Sequence, residues 1–491
     1  MRMPQMTKGL GCVLGLALAA ACSADAARAR GDGSPTPPDP ALPGDRGAAP
    51  PPAPPAGGGG GGGGGDTPEA PIPYVHFDVS HVISTGQSNS VAHEGRPVLT
   101  TTQPFTNVMF DVGVMTSALC EREGCRAYEK PTAFVPLMEG DTFWYPVETM
   151  SSGLANEGSM LAKTKYGKSA HDVLISLAGR NGLTYWCLRK GHCYFDPTYL
   201  NAYAESMMQV ADAKALAAAA SKSYVVRMVT AIHGESDDFG YATNHQEFPN
   251  DGSDGSHLSL ASYADALVEW QRDYEAGVKA ITGQTQAVPL LISQFSGWND
   301  SPTSRVTQLQ YDAHVREPGK VVVVTPAYML DWSIDCRHYT NHGERRLGEY
   351  FGKAYARIVA EGRRWEPLRP KKVTRAGNVV TAKFLVPVPP LVIDTTLVSD
   401  PGHYGFEVVD DAEMSIAITN VALAGPDSVA LTLATAPLGR GRLRYAFTTV
   451  PHTCPGATTG PRGNLRDSDA TPSNYGYSLF NWAVHFEVAI E

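Results

Sequence analysis

Two short stretches carry the residue types that chemistry at an ester needs. Gly86-Gln87-Ser88-Asn89 follows the apolar run Val82-Ile83, and Asp335-Cys336-Arg337-His338 answers it about 250 residues later. A serine hydroxyl is a poor nucleophile until an imidazole takes its proton and a carboxylate orients that imidazole. Ser88 on a strand-to-loop turn, with a distant Asp/His pair, therefore makes a meaningful set: Ser88 as nucleophile, His338 as general base, Asp335 as its orienter. Each half also has a plainer reading. Gly-Gln-Ser-Asn makes an ordinary polar turn, Asp335 can cap a helix beside a surface histidine, and His338 with His342 has the helical spacing of a metal pair. No matching Cys, His or carboxylate cluster is evident around that pair in the sequence, so no metal is assigned.

The elements that must position these residues are legible from periodicity. Residues 81–83, 173–177, 224–232, 288–292 and 321–324 are short apolar runs with the character of buried parallel strands, although any one of them alone could be a piece of buried helix. Helical patterns lie between or after them at 196–222, 258–281 and 342–361, the last with Leu347, Tyr350, Phe351, Tyr355 and Ile358 on one side. Strand and helix alternation implies a parallel sheet with helices on both faces, and ligands bind beyond the C-terminal strand ends of such sheets. Ser88, Gly179, His233 and Ser293 each end or follow a strand and would converge there. After residue 365 the texture changes to β-type runs at 379–385, 406–409, 414–418, 429–433 and 443–447, separated by Pro, Gly and Asp turns, which predicts a β-sandwich.

The order Gly86-Gln87-Ser88-Asn89, then Ile175-Ser176-Leu177-Ala178-Gly179 leading to Trp186, then His233-Gly234-Glu235-Ser236-Asp237, then Asp335-x-x-His338, resembles the SGNH hydrolases. More narrowly, it is similar to sialate O-acetylesterase-like carbohydrate esterases, over about 290 residues. The resemblance implies an α/β three-layer sandwich with a central parallel, flavodoxin-like sheet, and a serine esterase that removes O-acetyl groups from carbohydrates without a cofactor. Its catalytic set is Ser88, Asp335 and His338; its oxyanion and substrate-binding set is Gly179, His233, Gln87, Asn89 and Glu235. Donors for a tetrahedral oxyanion would be the N–H groups of Ser88 and Gly179, with Gly182 as the fallback because the spacing to Trp186 departs from the family's Gly-Gly-Thr pattern. Where the family has Gln before Gly-Glu-Ser this chain has His233, whose neutral imidazole can donate one hydrogen bond; alternatively the oxyanion site is weaker here. Glu235 and Asp237 are expected to hold the Ser88 loop, since the triad already supplies proton transfer. A general acyl-esterase or lipase, and a glycan-binding lipoprotein on an esterase fold without turnover, are the other readings.

Of 491 residues, 43% are hydrophobic and 18% charged, enough for sizeable cores. The net charge of -10, with no basic run, argues against nucleic acid or an anionic membrane surface as partner and tolerates an acetylated carbohydrate. Residues 1–22 have the charged, apolar and small-residue order of a secretory signal. Ala19-Ala20-Ala21-Cys22 is similar to a lipoprotein box, with Leu18 one place early, so Cys22 is either a lipid anchor and the sole membrane contact or part of a plainly secreted chain. Residues 23–73, with nine consecutive glycines from Gly57 to Gly65, form a Pro/Gly-rich tether that cannot bury enough apolar surface to order itself. The expected division is then 74–365 for the esterase-type domain and 366–491 for the β-sandwich, in the cell envelope or outside the cell. Setting aside Cys12 and Cys22, six cysteines remain, and an even number in an exported chain favours disulfides. Closeness in sequence pairs Cys120 with Cys125 and Cys187 with Cys193, leaving Cys336 with Cys454.

Overall fold

The sequence Val-Ser-His-Val-Ile-Ser-Thr-Gly forms the central strand, β1 (Val79–Gly86), and all eight of its residues are buried. Burial on both faces is what a run mixing β-branched and small residues permits. The computed structural model describes residues 70–117, 128–140, 145–168, 171–191, 200–243, 260–298 and 300–491. The leader, the tether as far as residue 69, Cys120, Cys125 and Cys193 lie outside them.

Along the chain follow β2 (Val108–Phe110), β3 (Phe134–Pro136), α1 (Met150–Thr164), β4 (Asp172–Gly179), α2 (Tyr185–Leu188), α3 (Ala202–Ala219) and β5 (Tyr224–Ile232). Next come α4 (Glu235–Thr243), α5 (Tyr263–Thr282), β6 (Leu290–Gln294), α6 (Arg305–Arg316), β7 (Val321–Pro326) and α7 (Asn341–Tyr355). The strands form one seven-stranded sheet in the order β3-β2-β4-β1-β5-β6-β7, parallel except for the antiparallel edge strand β3. Helices α1 and α7 pack together on it, while α3, α5 and α6 form a second packed group. This is the expected three-layer α/β architecture. The chain leaves β1 toward β4 and returns on the other side through β5, so the topological switch point falls at β1, the strand that ends in the serine turn.

Beyond α7 the chain forms antiparallel sheets, as expected. β8 (Arg369–Ala376), β9 (Val379–Leu385), β12 (Ile418–Leu423) and β13 (Ser428–Leu433) make a four-stranded sheet. β11 (Phe406–Val409), β14 (Arg442–Tyr445) and β16 (Phe486–Ala489) make a three-stranded one, and β10 (Val392–Ile393) pairs with β15 (Leu465–Arg466). The strand expected at 414–418 begins only at Ile418, because Asp410 accepts the Ala412 and Met414 N–H groups in a tight turn that leaves Met414 64% exposed.

One hydrophobic core runs through both parts, and residues 68–491 form a single compact unit. The return segment holds them together. Gln294 at the end of β6 exchanges two hydrogen bonds with the His485 backbone, the Tyr328 hydroxyl donates to the Ala483 carbonyl, and Lys353 on α7 forms an ion pair of 2.9 Å with Asp469. Trp482 is buried and Arg466 pairs with Asp394, so this segment is scaffold.

Helices α1 and α7 approach closely enough that a Cβ on Gly153 would strike the Arg345 carbonyl, and one on Gly348 the Met150 carbonyl. Between them Glu157 meets Glu349. Burial, then the neighbouring carboxyl, pushes Glu157 up to about 8, and Glu139 beside Glu148 is raised likewise to about 8. Burial raises Asp237 and Asp238 to about 7. These groups hold protons in the folded state that the unfolded chain has released, so their stabilisation is full below the ordinary carboxyl range and lost as pH rises through 7 to 8. The buried imidazoles of His81, His233 and His485, held down by burial at about 3, 4 and 4, act in the opposite sense, but only below roughly pH 6.5. Stability should therefore fall between pH 6.5 and 8.5, by about 1 kcal/mol or more per pH unit. Urea unfolding across that range checks it; a flat or rising stability would contradict it.

Candidate active site

The serine turn is forced at the end of β1. Gly86 has φ +130°, and a Cβ there would run into the Ile232 carbonyl on β5, so only glycine lets the chain turn out of the sheet at that point. The turn then closes on itself: Ser90 N–H and Oγ both donate to the Gln87 carbonyl, and the His93 N–H donates to the Ser88 carbonyl at 3.0 Å. Ser88 is 5% exposed. Among the described residues its Oγ and its backbone N–H make no hydrogen bond, which leaves both available to a substrate.

Asp335 and His338 sit on a loop, residues 331–340, that leaves β7 and enters α7. Its ends are tied by the Thr340 N–H on the Asp331 carbonyl, and Ser333 N–H donates to the His338 carbonyl at 2.7 Å. Thr340, not Asp335, caps α7, accepting from the Gly343 N–H. That frees the Asp335 carboxylate for His338: Oδ2 lies 2.5 Å from Nδ1, while Oδ1 accepts the Arg337 and His338 N–H groups. Burial alone would raise the Asp335 carboxyl, but the His338 contact and the two backbone donors outweigh it and hold it at about 2. It is ionised throughout the neutral range, with Nδ1 as the donor nitrogen and Nε2 left without a partner among the described residues.

Asn89 joins the two loops. Its Nδ2 donates to Glu235 Oε1 at 2.6 Å and to the Arg337 carbonyl at 3.2 Å, and its Oδ1 accepts the Tyr339 N–H at 3.2 Å. One side chain thus brackets His338 on both sides from the position next to Ser88. Gln87 does the same toward the third segment, its Oε1 accepting the Ser236 N–H. Asn89 is therefore a brace between segments with its amide fully engaged, whereas Gln87 braces through Oε1 alone and its Nε2 makes no hydrogen bond among the described residues. The Glu235 carboxyl is enclosed, and burial raises its pKa. Asn89→Ala would leave the Glu235 carboxyl, the Arg337 carbonyl and the Tyr339 N–H without this partner. It should cost about 2–3 kcal/mol of stability and on the order of 10-fold or more in kcat, which denaturant titration and steady-state kinetics would measure; wild-type values for both would contradict the bracing role.

His233 departs from the sequence expectation. It ends the β5 segment but turns into the core, with Nδ1 2.6 Å from the Tyr263 hydroxyl and Nε2 3.2 Å from the Leu183 carbonyl. Burial lowers its pKa to about 4, so it is a neutral ring with both nitrogens engaged, and neither is free to serve an oxyanion. Gly179 ends β4 in register with Gly86 and lies directly against Ser90 and Val91, where a Cβ would clash. Its turn is fixed by a residue absent from the sequence reading: Arg180, fully buried, donates to the Gly179 and Leu200 carbonyls and pairs with Glu205 at 2.5 Å. Gly182 stands in open space. Asp237 accepts the Tyr185 N–H and steadies α2. Ser293 is buried within β6.

His342 is not the partner of His338: its Nδ1 lies 2.8 Å from the Tyr477 hydroxyl. The imidazole beside His338 is His93, with ring centroids 4.5 Å apart. Burial, then the positive charge that His338 can carry, pulls His93 below the ordinary histidine value. A single histidine five residues past the serine gives no pattern that sequence reasoning could have used.

Cys336 is bonded to Cys454, as expected from the sequence, so the loop that carries Asp335 and His338 is tied to the C-terminal region. Cys187 is also disulfide-bonded. A cavity of about 80 Å³ behind α7, lined by Tyr166, Lys353, Arg357, Trp365, Asp469 and Asn481 among others, does not border Ser88.

No protein-family profile matches the chain, and no curated protein matches it. Among solved structures the chain is similar to a carbohydrate acetylesterase from Xanthomonas citri, at 12% identity over 83% of this chain and 80% of that one, with a TM-score of 0.47. It is also similar to a protein from Arabidopsis thaliana, at 14% identity over 57% of this chain and 98% of that one, TM-score 0.34. A carbohydrate acetylesterase from Sinorhizobium meliloti matches at 12% identity over 57% of this chain and 99% of that one, TM-score 0.28.

Proposed function

We propose that this protein is an exported serine esterase that removes O-acetyl groups from carbohydrates through an acetyl-serine intermediate. The observation that carries the reading is the 2.5 Å contact of His338 with Asp335, held by Asn89 against the turn that presents Ser88. In this scheme Ser88 Oγ attacks the acetyl carbonyl while His338 Nε2 takes its proton. The oxyanion accepts hydrogen bonds from the N–H groups of Ser88 and Gly179. Collapse of the tetrahedral intermediate breaks the ester bond, and His338 gives its proton to the departing sugar oxygen. Water, activated by the same imidazole, then attacks the acetyl-serine, releasing acetate and restoring Ser88. Asp335 keeps the imidazole oriented and stabilises the imidazolium in both halves. The scheme needs no cofactor.

The acetyl and sugar parts rest on the motif order, and export rests on the character of residues 1–22. An N-terminal lipid at Cys22 would place the enzyme on a membrane behind its tether. The test is acetate release from a panel of acetylated glycans, sialic acid and xylan included, alongside a series of aryl esters of increasing acyl length. Release from a glycan, with activity falling steeply beyond short acyl groups, is expected. Preference for long acyl chains would favour a lipase. No release from any ester by folded protein would sink the hydrolase reading in favour of a glycan-binding lipoprotein.

A further inference from the structure

The pairing of His93 with His338 does more than fill space. His93, Asp335 and His338 each offer a ligand atom, and those atoms lie within 4.8 Å of one another. We propose that His93, Asp335 and His338 form a binding site for a divalent transition ion of the Zn²⁺ type, and that its occupancy shuts off the hydrolysis proposed above. The inhibitory half rests on that reading; the binding half does not.

The donor set is the first argument. Two imidazoles and one carboxylate are the mixed nitrogen and oxygen ligands that Zn²⁺ takes, whereas Mg²⁺ and Ca²⁺ prefer oxygen alone. The second argument is reach. Tetrahedral Zn²⁺ with bonds near 2.0–2.1 Å needs its donors about 3.3 Å apart, so side-chain rotations of about 1 Å would close the set. The backbones are already fixed: His93 N–H is bonded to the Ser88 carbonyl, Asn89 brackets His338, and the Cys336–Cys454 bridge holds the loop. The third is access. His93 and His338 are partly exposed and Asp335 is exposed, so an ion can enter from solvent and keep water in its fourth position.

The consequence follows from the same atoms. An ion on His338 Nε2 removes the lone pair that must accept the Ser88 proton. An ion on Nδ1, bridging to Asp335, leaves the ring's proton on Nε2, which then has no lone pair for the Ser88 proton. Either way Ser88 loses its base, while Ser88 itself is untouched.

The test uses the full, untagged chain, with ZnCl₂ as the probe and MgCl₂ as the control. Calorimetric titration of the wild type should show one Zn²⁺ site, weakened at least tenfold in His93→Ala and in His93→Asn, with no Mg²⁺ binding. The same Zn²⁺ concentrations should suppress ester hydrolysis by the wild type, reversibly on adding EDTA, and leave both variants active. Zn²⁺ binding unchanged in the variants would overturn the site. Should either variant fail to melt cooperatively, X-ray absorption at the zinc edge of the loaded wild type decides: two imidazoles and a carboxylate support the site, and an all-oxygen or sulfur shell overturns it. His93-dependent Zn²⁺ binding in a protein that hydrolyses no ester would leave the site standing and the hydrolase reading lost. Hydrolysis insensitive to Zn²⁺ at concentrations that fill the site would overturn the inhibition and leave the hydrolase reading standing.

Discussion

Ser88→Ala and His338→Ala should each lower kcat for ester hydrolysis by about 10⁴-fold or more, and the double variant should be no slower than the worse single one. The reason for the shared floor is that the two side chains act as one unit. Without His338 the serine keeps its proton, and without the serine the imidazole has no proton to take. The structure makes the comparison clean, because Ser88 Oγ makes no hydrogen bond among the described residues and truncating it removes nothing that holds the fold. Melting of the Ser88 variant should match the wild type within about 1 kcal/mol, since truncating a hydroxyl that makes no hydrogen bond leaves no buried partner unpaired. Activity within tenfold of wild type in Ser88→Ala would mean that some other group is the nucleophile.

Opening the bridge between Cys336 and Cys454 should have the next largest effect, on activity and stability together. Cys336 lies between Asp335 and Arg337, at φ +63°, inside the loop that carries the base, and its partner is 118 residues away. Cross-linking so long a loop restricts the unfolded chain, and losing such a bridge costs about 2–5 kcal/mol. The local consequence is larger for catalysis than for binding. Displacing His338 by about 1 Å relative to Ser88 costs on the order of 10²-fold in kcat, while Arg337 and Asn89 still tether one side of the loop. The double variant Cys336→Ser/Cys454→Ser, compared with wild type under oxidising and reducing conditions, separates the cases. Expected are a lowered Tm, a kcat reduced by about 10–100-fold with little change in KM, and reductant sensitivity in the wild type alone. A double variant as active as the wild type would show that the loop is positioned without the bridge.

What was legible in the sequence depended on where each signal resides. The strands at 173–177, 224–232 and 321–324 could be read because burial at nearly every position leaves predominantly apolar runs rich in Val and Ile, which appear as β4, β5 and β7. Helix α1 could not. Its contact with α7 requires glycines and serines at the interface, Gly153 and Gly158 among them, and it is buried around most of its circumference, so neither helix propensity nor an amphipathic stripe marks it. Strands β2 and β3, three residues each, are too short to carry a period. In the site, Ser88, Asp335 and His338 were visible as residue types at telling places, and their mutual placement by Asn89 was not, because one amide reaching across about 250 residues leaves no local trace. Sequence could not choose between the two readings of His233, a substitute donor or a weaker oxyanion site, because sequence order cannot say which way a ring faces at a strand end; here Tyr263 and Leu183 draw it inward.

The central claim is that Ser88 is the attacking group, and covalent trapping tests it most directly. The full chain would be treated with a reactive organophosphonate ester, digested, and its peptides mapped by mass. The expected result is a single adduct on Ser88, formed in step with loss of ester hydrolysis and absent in His338→Ala over the same time. An adduct on another residue that abolishes activity, or complete inhibition with Ser88 unmodified, would contradict it.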